Sequence, residues 1–159
     1  MNGARGGREE RMMAVVSQEI VVGVPIERFY EVVVDYARYP EFVPGIKACR
    51  PGAERAGVRD VQYELDLGIK RIRYVLRHQE SRPSRVSWSL VSGELMKVSN
   101  GSWELAPEGA GTRARYSVEV QLSKPPLVPQ AVLDRVSDEL TRVQLPRTLQ
   151  AFKQRAERG

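Results

Sequence analysis

The chain has 159 residues, 42% of them hydrophobic, and a formal net charge of +5. A chain of this length forms one domain and buries roughly two thirds of its unfolded surface, so it needs no disulfide or metal to stay folded. Cys49 is the single cysteine and His78 the single histidine, which excludes an internal disulfide and the usual zinc ligand sets.

We therefore expect no cofactor and no metal, and a reducing, cytoplasmic setting. No apolar run approaches the roughly 18 residues that span a bilayer. With 20 arginines and 5 lysines, the basic balance invites nucleic acid, a ribosome or an anionic membrane as partner. No run of like charge reaches the five or six residues of a dedicated tail, so we read the charges as spread over a solvated surface and do not expect DNA binding. The opening MNGARGGREERMM has charge and glycine with no apolar segment behind it. It reads as a flexible leader over residues 1–13 and not as a secretory signal, leaving one domain over residues 14–159.

In chain order, Val15–Val24 is β-branched and turn-bounded, the pattern of a strand. Pro25 then opens a helix carrying Ile26, Phe29, Tyr30, Val33 and Val34 on one stripe. A second short helix is predicted over Tyr39–Val43, opened by Pro40 and stopped by Pro44-Gly45. Six strands follow: Ile46–Arg50, Val58–Leu67, Lys70–Glu80, Arg85–Val91, Met96–Leu105 and Thr112–Leu122, with turn chemistry between them. The chain closes on a helix over Leu127–Glu157, striped by Val132, Val136, Leu140 and Val143 and kinked where Pro146 removes the bond to the Arg142 carbonyl. Strand, two short helices, six strands and one long helix make a two-layer α+β domain, a seven-stranded antiparallel sheet against the last helix.

The hairpin around Gly68 has a testable register. A two-residue type II′ turn at Gly68-Ile69 sets Leu67 opposite Lys70, Leu65 opposite Ile72, Tyr63 opposite Tyr74 and Val61 opposite Leu76. The other face then pairs Asp66 with Arg71 and Glu64 with Arg73, and a one-residue slip destroys both patterns. The same alternation turns Val86, Trp88 and Leu90 inward, with Ala114, Tyr116, Val118, Val120 and Leu122. Trp103 and Leu105 face in as well, which requires a bulge near Asn100-Gly101 if Met96 and Val98 also do.

The three phenylalanines, Phe29, Phe42 and Phe152, fall on helices, whereas the inward strand positions hold Tyr63, Tyr74 and Tyr116. A filled core prefers phenylalanine because a buried hydroxyl needs a partner. Tyrosines together with Trp88 on a concave face read as the lining of an apolar cavity. His78, with Glu80 at the same strand's end as a candidate orienting carboxylate, could serve as an acid or base; with no nucleophile signature beside it, we read it as a strand-end residue at the solvent margin. Cys49 reads as a small strand residue.

The stretch Asp35-Tyr36-Ala37-Arg38-Tyr39-Pro40-Glu41-Phe42-Val43-Pro44 resembles the D-x-x-x-Y-P-x-F-x-P segment of the START-like (SRPBCC) superfamily. The branch it resembles holds polyketide cyclases/dehydrases, coenzyme Q-binding proteins and the ribosome association toxin. Pro25–Tyr30 is similar to that branch's helix opening, Gly101-Ser102-Trp103 to its G-x-W strand, and Leu149–Glu157 to its helix end. The resemblance implies a helix-grip fold with a deep apolar cavity between sheet and long helix. It leads us to expect binding or transport of a lipid, isoprenoid quinone or polyketide. The alternatives are an aromatase/cyclase using His78 or Tyr74 as proton shuttle, and a ribosome- or protein-binding module. The expected ligand contacts are the rim residues Phe42, Val43 and Pro44, and on the sheet Tyr63, Leu65, Leu67, Ile72, Tyr74, Leu76, Trp88, Leu90, Trp103, Tyr116 and Val118. Val132, Val136, Leu140 and Val143 would close the cavity from the helix.

Overall fold

A computed structural model describes residues 13–158. Residues 1–12 of the expected leader lie outside the described residues, and Met13 already belongs to the first strand. The elements are β1 (Met13–Val22), α1 (Ile26–Val34), a 3₁₀ turn (Tyr36–Arg38), α2 (Tyr39–Phe42), β2 (Ile46–Pro51), β3 (Val58–Asp66), β4 (Arg71–Ser81), β5 (Arg85–Gly93), β6 (Met96–Glu108) and β7 (Gly111–Leu122). The C-terminal helix α3 is α-helical over Gln130–Asp138, π-helical over Glu139–Gln144 and α-helical again over Leu145–Arg158.

The strands form one antiparallel sheet in the order β1-β7-β6-β5-β4-β3-β2. Each short connection joins neighbours, and the two short helices carry the chain from one sheet edge to the other. This is the helix-grip arrangement, two layers sharing one core. The Gly68 hairpin has the register that the alternating pattern requires, from Asp66–Arg71 through Tyr63–Tyr74 to Val61–Leu76. Of its two turn residues only Gly68 takes a positive φ, +84°, the conformation a β-carbon disfavours at the first central position of a type II′ turn. On the outer face Arg71 gathers both carboxylates, Glu64 at 3.1 Å and Asp66 at 3.5 Å, so Glu64 reaches diagonally and not to Arg73 opposite.

One local expectation changes, and the C-terminal helix adds a feature of its own. The β6 bulge lies between Met96 and Val98, not at Asn100-Gly101; Met96 and Ser99 face inward and Val98 does not. Before Pro146 the C-terminal helix widens into π winding. Shifting the preceding bonds to i→i+5 relieves the clash a proline ring makes with the carbonyl four residues back.

Candidate functional site

Between the concave face of the sheet and α3 lies a cavity of about 110 Å³. Its sheet wall is aromatic: Tyr63, Tyr74, Trp88, Trp103 and Tyr116, with His78, Leu65 and Val118. Tyr39 and Val43 close it from the rim, and Leu140, Gln144, Thr148 and Phe152 from the helix. None of the lining residues is Asp, Glu, Lys or Arg.

The local sequence explains this wall. Tyr63 and Tyr74 are cross-strand partners, and their rings stack with centroids 5.0 Å apart and planes 7° from parallel. Trp88 lies opposite Gly101, and a β-carbon built on Gly101 would sit 2.4 Å from the indole. The glycine of the G-x-W segment thus lets Trp88 lie flat against the sheet. Trp103, two residues on, packs edge-to-face against Phe29 of α1 and Phe152 of α3, each at 5.3 Å. It ties both helices to the sheet.

The polar atoms of the cavity are neutral. Tyr63 Oη and His78 Nε2 are 2.8 Å apart. Burial pushes the hydroxyls of Tyr39, Tyr63, Tyr74 and Tyr116 further above their ordinary range, so all stay protonated. Burial, reinforced by the Arg59 charge, lowers His78 to about 3, because both disfavour the charged imidazolium. The Cys49 thiol, buried next to this wall, is pushed up to about 12 by burial and is inert at neutral pH.

His78 is the clearest correction. It is 3% exposed, not a solvent-margin residue, because the Tyr36–Arg38 turn folds over β4 and sets the Tyr36 ring 4.6 Å from the imidazole. Glu80 does not orient it. That carboxylate accepts a hydrogen bond from Tyr36 Oη at 2.9 Å and pairs with Arg59 at 2.8 Å, while His78 Nδ1 is buried with no hydrogen-bond partner.

Of the expected contacts, Val43, Tyr63, Leu65, Tyr74, Trp88, Trp103, Tyr116, Val118 and Leu140 line the cavity. Phe42, Pro44, Leu67, Ile72, Leu76, Leu90, Val132, Val136 and Val143 do not. Leu67, Ile72, Leu76 and Val136 are spent on solid core. Phe42 packs on the outside of the rim against Tyr39 and Phe152. Leu90, Val132 and Val143 are half-buried away from the cavity.

The helix lining follows the row Leu140, Gln144, Thr148, Phe152, with Leu145 beside it. A strict step of four was visible in the sequence, but two of its four members are polar, and the widened turn swings Val143 off the face. Gln144 Nε2 donates to the Pro44 carbonyl, and Thr148 Oγ1 donates to the Gln144 carbonyl at 2.8 Å. Ile46, Met96, Ser99 and Val120 complete the wall; of these, the β6 bulge placed Ser99.

Fold and cavity together define a helix-grip protein with an uncharged aromatic pocket. The chain belongs to the polyketide cyclase / dehydrase and lipid transport family, whose model matches residues 13–157. Among solved structures it is similar to a Streptomyces aromatase/cyclase (16% identity, TM-score 0.80, 92% of this chain and 94% of that one). It is also similar to a START superfamily protein of Mycobacterium smegmatis (18%, 0.72, 91% and 97%) and to a STAR-related lipid transfer protein fragment of Xanthomonas axonopodis (13%, 0.67, 89% and 85%). At these identities the likeness is one of fold. No curated protein matches its sequence. None of the described helices is long and apolar enough to cross a membrane.

Proposed function

We propose that the protein binds a neutral hydrophobic small molecule, a lipid, isoprenoid quinone or polyketide, and carries it without transforming it. The observation that carries this reading is a cavity lined by tyrosine and tryptophan with no charged side chain. Apolar burial at about 25 cal/mol per Å² drives binding, and tyrosine hydroxyls orient a carbonyl or hydroxyl head. Among the described residues the Tyr74 and Tyr116 hydroxyls have no protein partner, so both are free to do so. A cytoplasmic setting suits the buried, unpaired Cys49.

The resting cavity, about 110 Å³, is smaller than the roughly 300–1,000 Å³ of a drug-sized ligand site. Loading therefore moves α3 away from the rim, and the Gln144–Pro44 bond is the contact that parts. The π-helical stretch ending at Gln144 is the natural place for that movement, since π turns inside α-helices occur frequently at functional sites.

The Tyr63–His78 pair favours a second reading, an aromatase/cyclase with this pair as proton relay. A histidine held neutral down to about 3 is a poor acid at pH 7, where catalytic groups work best with a pKa near the operating pH. The carrier reading is the stronger for that reason. Trp88 and Trp103 both line the cavity, so titration with a short-tailed benzoquinone should quench tryptophan fluorescence to a one-to-one end point. Mass spectrometry should recover that quinone unchanged. Conversion of a poly-β-ketone analogue, lost in His78→Gln, would replace the carrier with the enzyme. Absence of any quenching by quinone, fatty alcohol or polyketide would end both.

A further inference from the structure

We propose that one end of the sheet is a docking surface for an anionic lipid bilayer. The antiparallel registers Ile46–Leu65, Asp66–Arg71 and Met96–Leu122 bring the starts of β2, β4 and β6 and the ends of β3, β5 and β7 to the same end. Four of the chain's five lysines stand there: Lys47, Lys70, Lys97 and Lys124. All four are exposed, and none has a carboxylate partner among the described residues. Most sheet arginines differ: Arg59, Arg71, Arg77, Arg85, Arg113 and Arg115 are each paired with an acid, while Arg50 and Arg73 form no such pair among the described residues.

Three carboxylates near the lysine end, Glu64, Asp66 and Glu94, are already engaged. Asp66 accepts from the Gly68 amide at 2.8 Å and pairs with Arg71, and Glu94 accepts from the Arg73 amide. The first acid of α3 in sequence, Asp134, accepts a hydrogen bond from Gln130. Two apolar side chains project among the lysines. Ile69 forms the tip of the β3–β4 turn and is 39% exposed, and Leu127 in the β7–α3 loop is 95% exposed. Pro125, Pro126 and Pro129 fix φ along that loop, and the Val128 amide donates to the Pro125 carbonyl at 3.1 Å, closing a turn that carries Leu127. Unpaired lysines ringing apolar tips match a headgroup layer above hydrocarbon: the charges meet lipid phosphates and the tips enter the interface. Nucleic acid would use the charges but leave Leu127 without a role.

The surface is independent of what the cavity holds, and the test separates the two. Full-length protein should cosediment with vesicles of about 30% phosphatidylserine in phosphatidylcholine at about 0.1 M salt, and release at about 0.5 M. Pure phosphatidylcholine vesicles should leave it in solution. Each lysine contributes about fivefold near an anionic leaflet, so changing Lys47, Lys70, Lys97 and Lys124 together to Gln should weaken binding at least a hundredfold. Leu127→Asp should weaken it about tenfold or more, and Arg55→Gln at the opposite end should change nothing. Quinone titration of the lysine variant in vesicle-free buffer should match wild type, whatever the vesicle result. Wild type that ignores anionic vesicles, or a lysine variant that binds them as well as wild type does, overturns the proposal. So does salt-sensitive binding to ribosomal particles that Leu127→Asp leaves intact.

Discussion

Tyr63 Oη meets His78 Nε2 at 2.8 Å inside the cavity wall, and this one contact satisfies the only histidine of the chain on one side while its other nitrogen has no partner. The imidazole is held neutral by burial and by Arg59. The unfolded chain takes up a proton below pH 6.5, its ordinary value, whereas the folded chain does so only near 3. The contribution to stability is therefore fully present above 6.5 and is lost as pH falls toward 3. Between pH 6.5 and about 5, above the range of ordinary carboxylates, thermal or urea unfolding should show a loss of about 1 kcal/mol per pH unit. His78→Gln should flatten that slope. An unchanged slope would place the titration elsewhere.

Tyr63→Phe leaves His78 with no hydrogen bond at either nitrogen. We expect a loss of about 1–3 kcal/mol at pH 7 by urea denaturation, the desolvation cost of an orphaned buried polar group. Tyr74→Phe, whose hydroxyl has no protein partner to strand, should cost less than half as much.

Gly101→Ala forces a β-carbon to within 2.4 Å of the Trp88 indole and 2.6 Å of the Ser117 carbonyl. The indole relieves its own contact by leaving the sheet for the cavity, while the contact with the Ser117 backbone remains and strains the β6–β7 pair. Expected outcomes are about 1–3 kcal/mol of destabilisation, a shifted tryptophan emission and weakened quinone binding. Trp88→Phe added to Gly101→Ala should recover part of the stability, because the smaller ring gives way.

Gln144 joins α3 to the rim through the Pro44 carbonyl. Gln144→Met keeps the length and removes the donor. Stopped-flow fluorescence should show faster ligand entry by several-fold, and equilibrium unfolding a loss of about 1 kcal/mol. Equal entry rates in variant and wild type would mean that loading does not part this contact.

A charge set into the cavity must be hydrated, which opposes filling it with an apolar molecule. Leu65→Asp should therefore weaken ligand binding by tenfold or more, provided circular dichroism shows a folded protein. Arg73→Ala, next to it on the opposite face, should leave affinity unchanged.

Features that depend on neighbours along the chain or across one turn are readable from the residues alone. Alternation of apolar and charged residues around Gly68 admits a single register, and the structure has it. The aromatic wall follows, because once Tyr63 is opposite Tyr74 and Trp88 alternates inward, the pleat leaves them no other face. Tertiary structure alone decided which inward residues bound empty space and which fill the core. Leu65 and Ile72 are cross-strand partners of equal hydrophobicity, yet only Leu65 lines the cavity. That difference depends on where α1, α2 and α3 settle over the sheet, and pleat periodicity does not encode it. His78 shows the same limit: its strand position was legible, but its burial depends on Tyr36 folding back across β4 from about forty residues away in sequence. The helix face was rotated by π winding ahead of Pro146, so a stripe extrapolated at 3.6 residues per turn pointed to Val143 where the helix presents Gln144. Long-range packing placed these groups, because burial depends on everything that covers a residue and not on the residue alone.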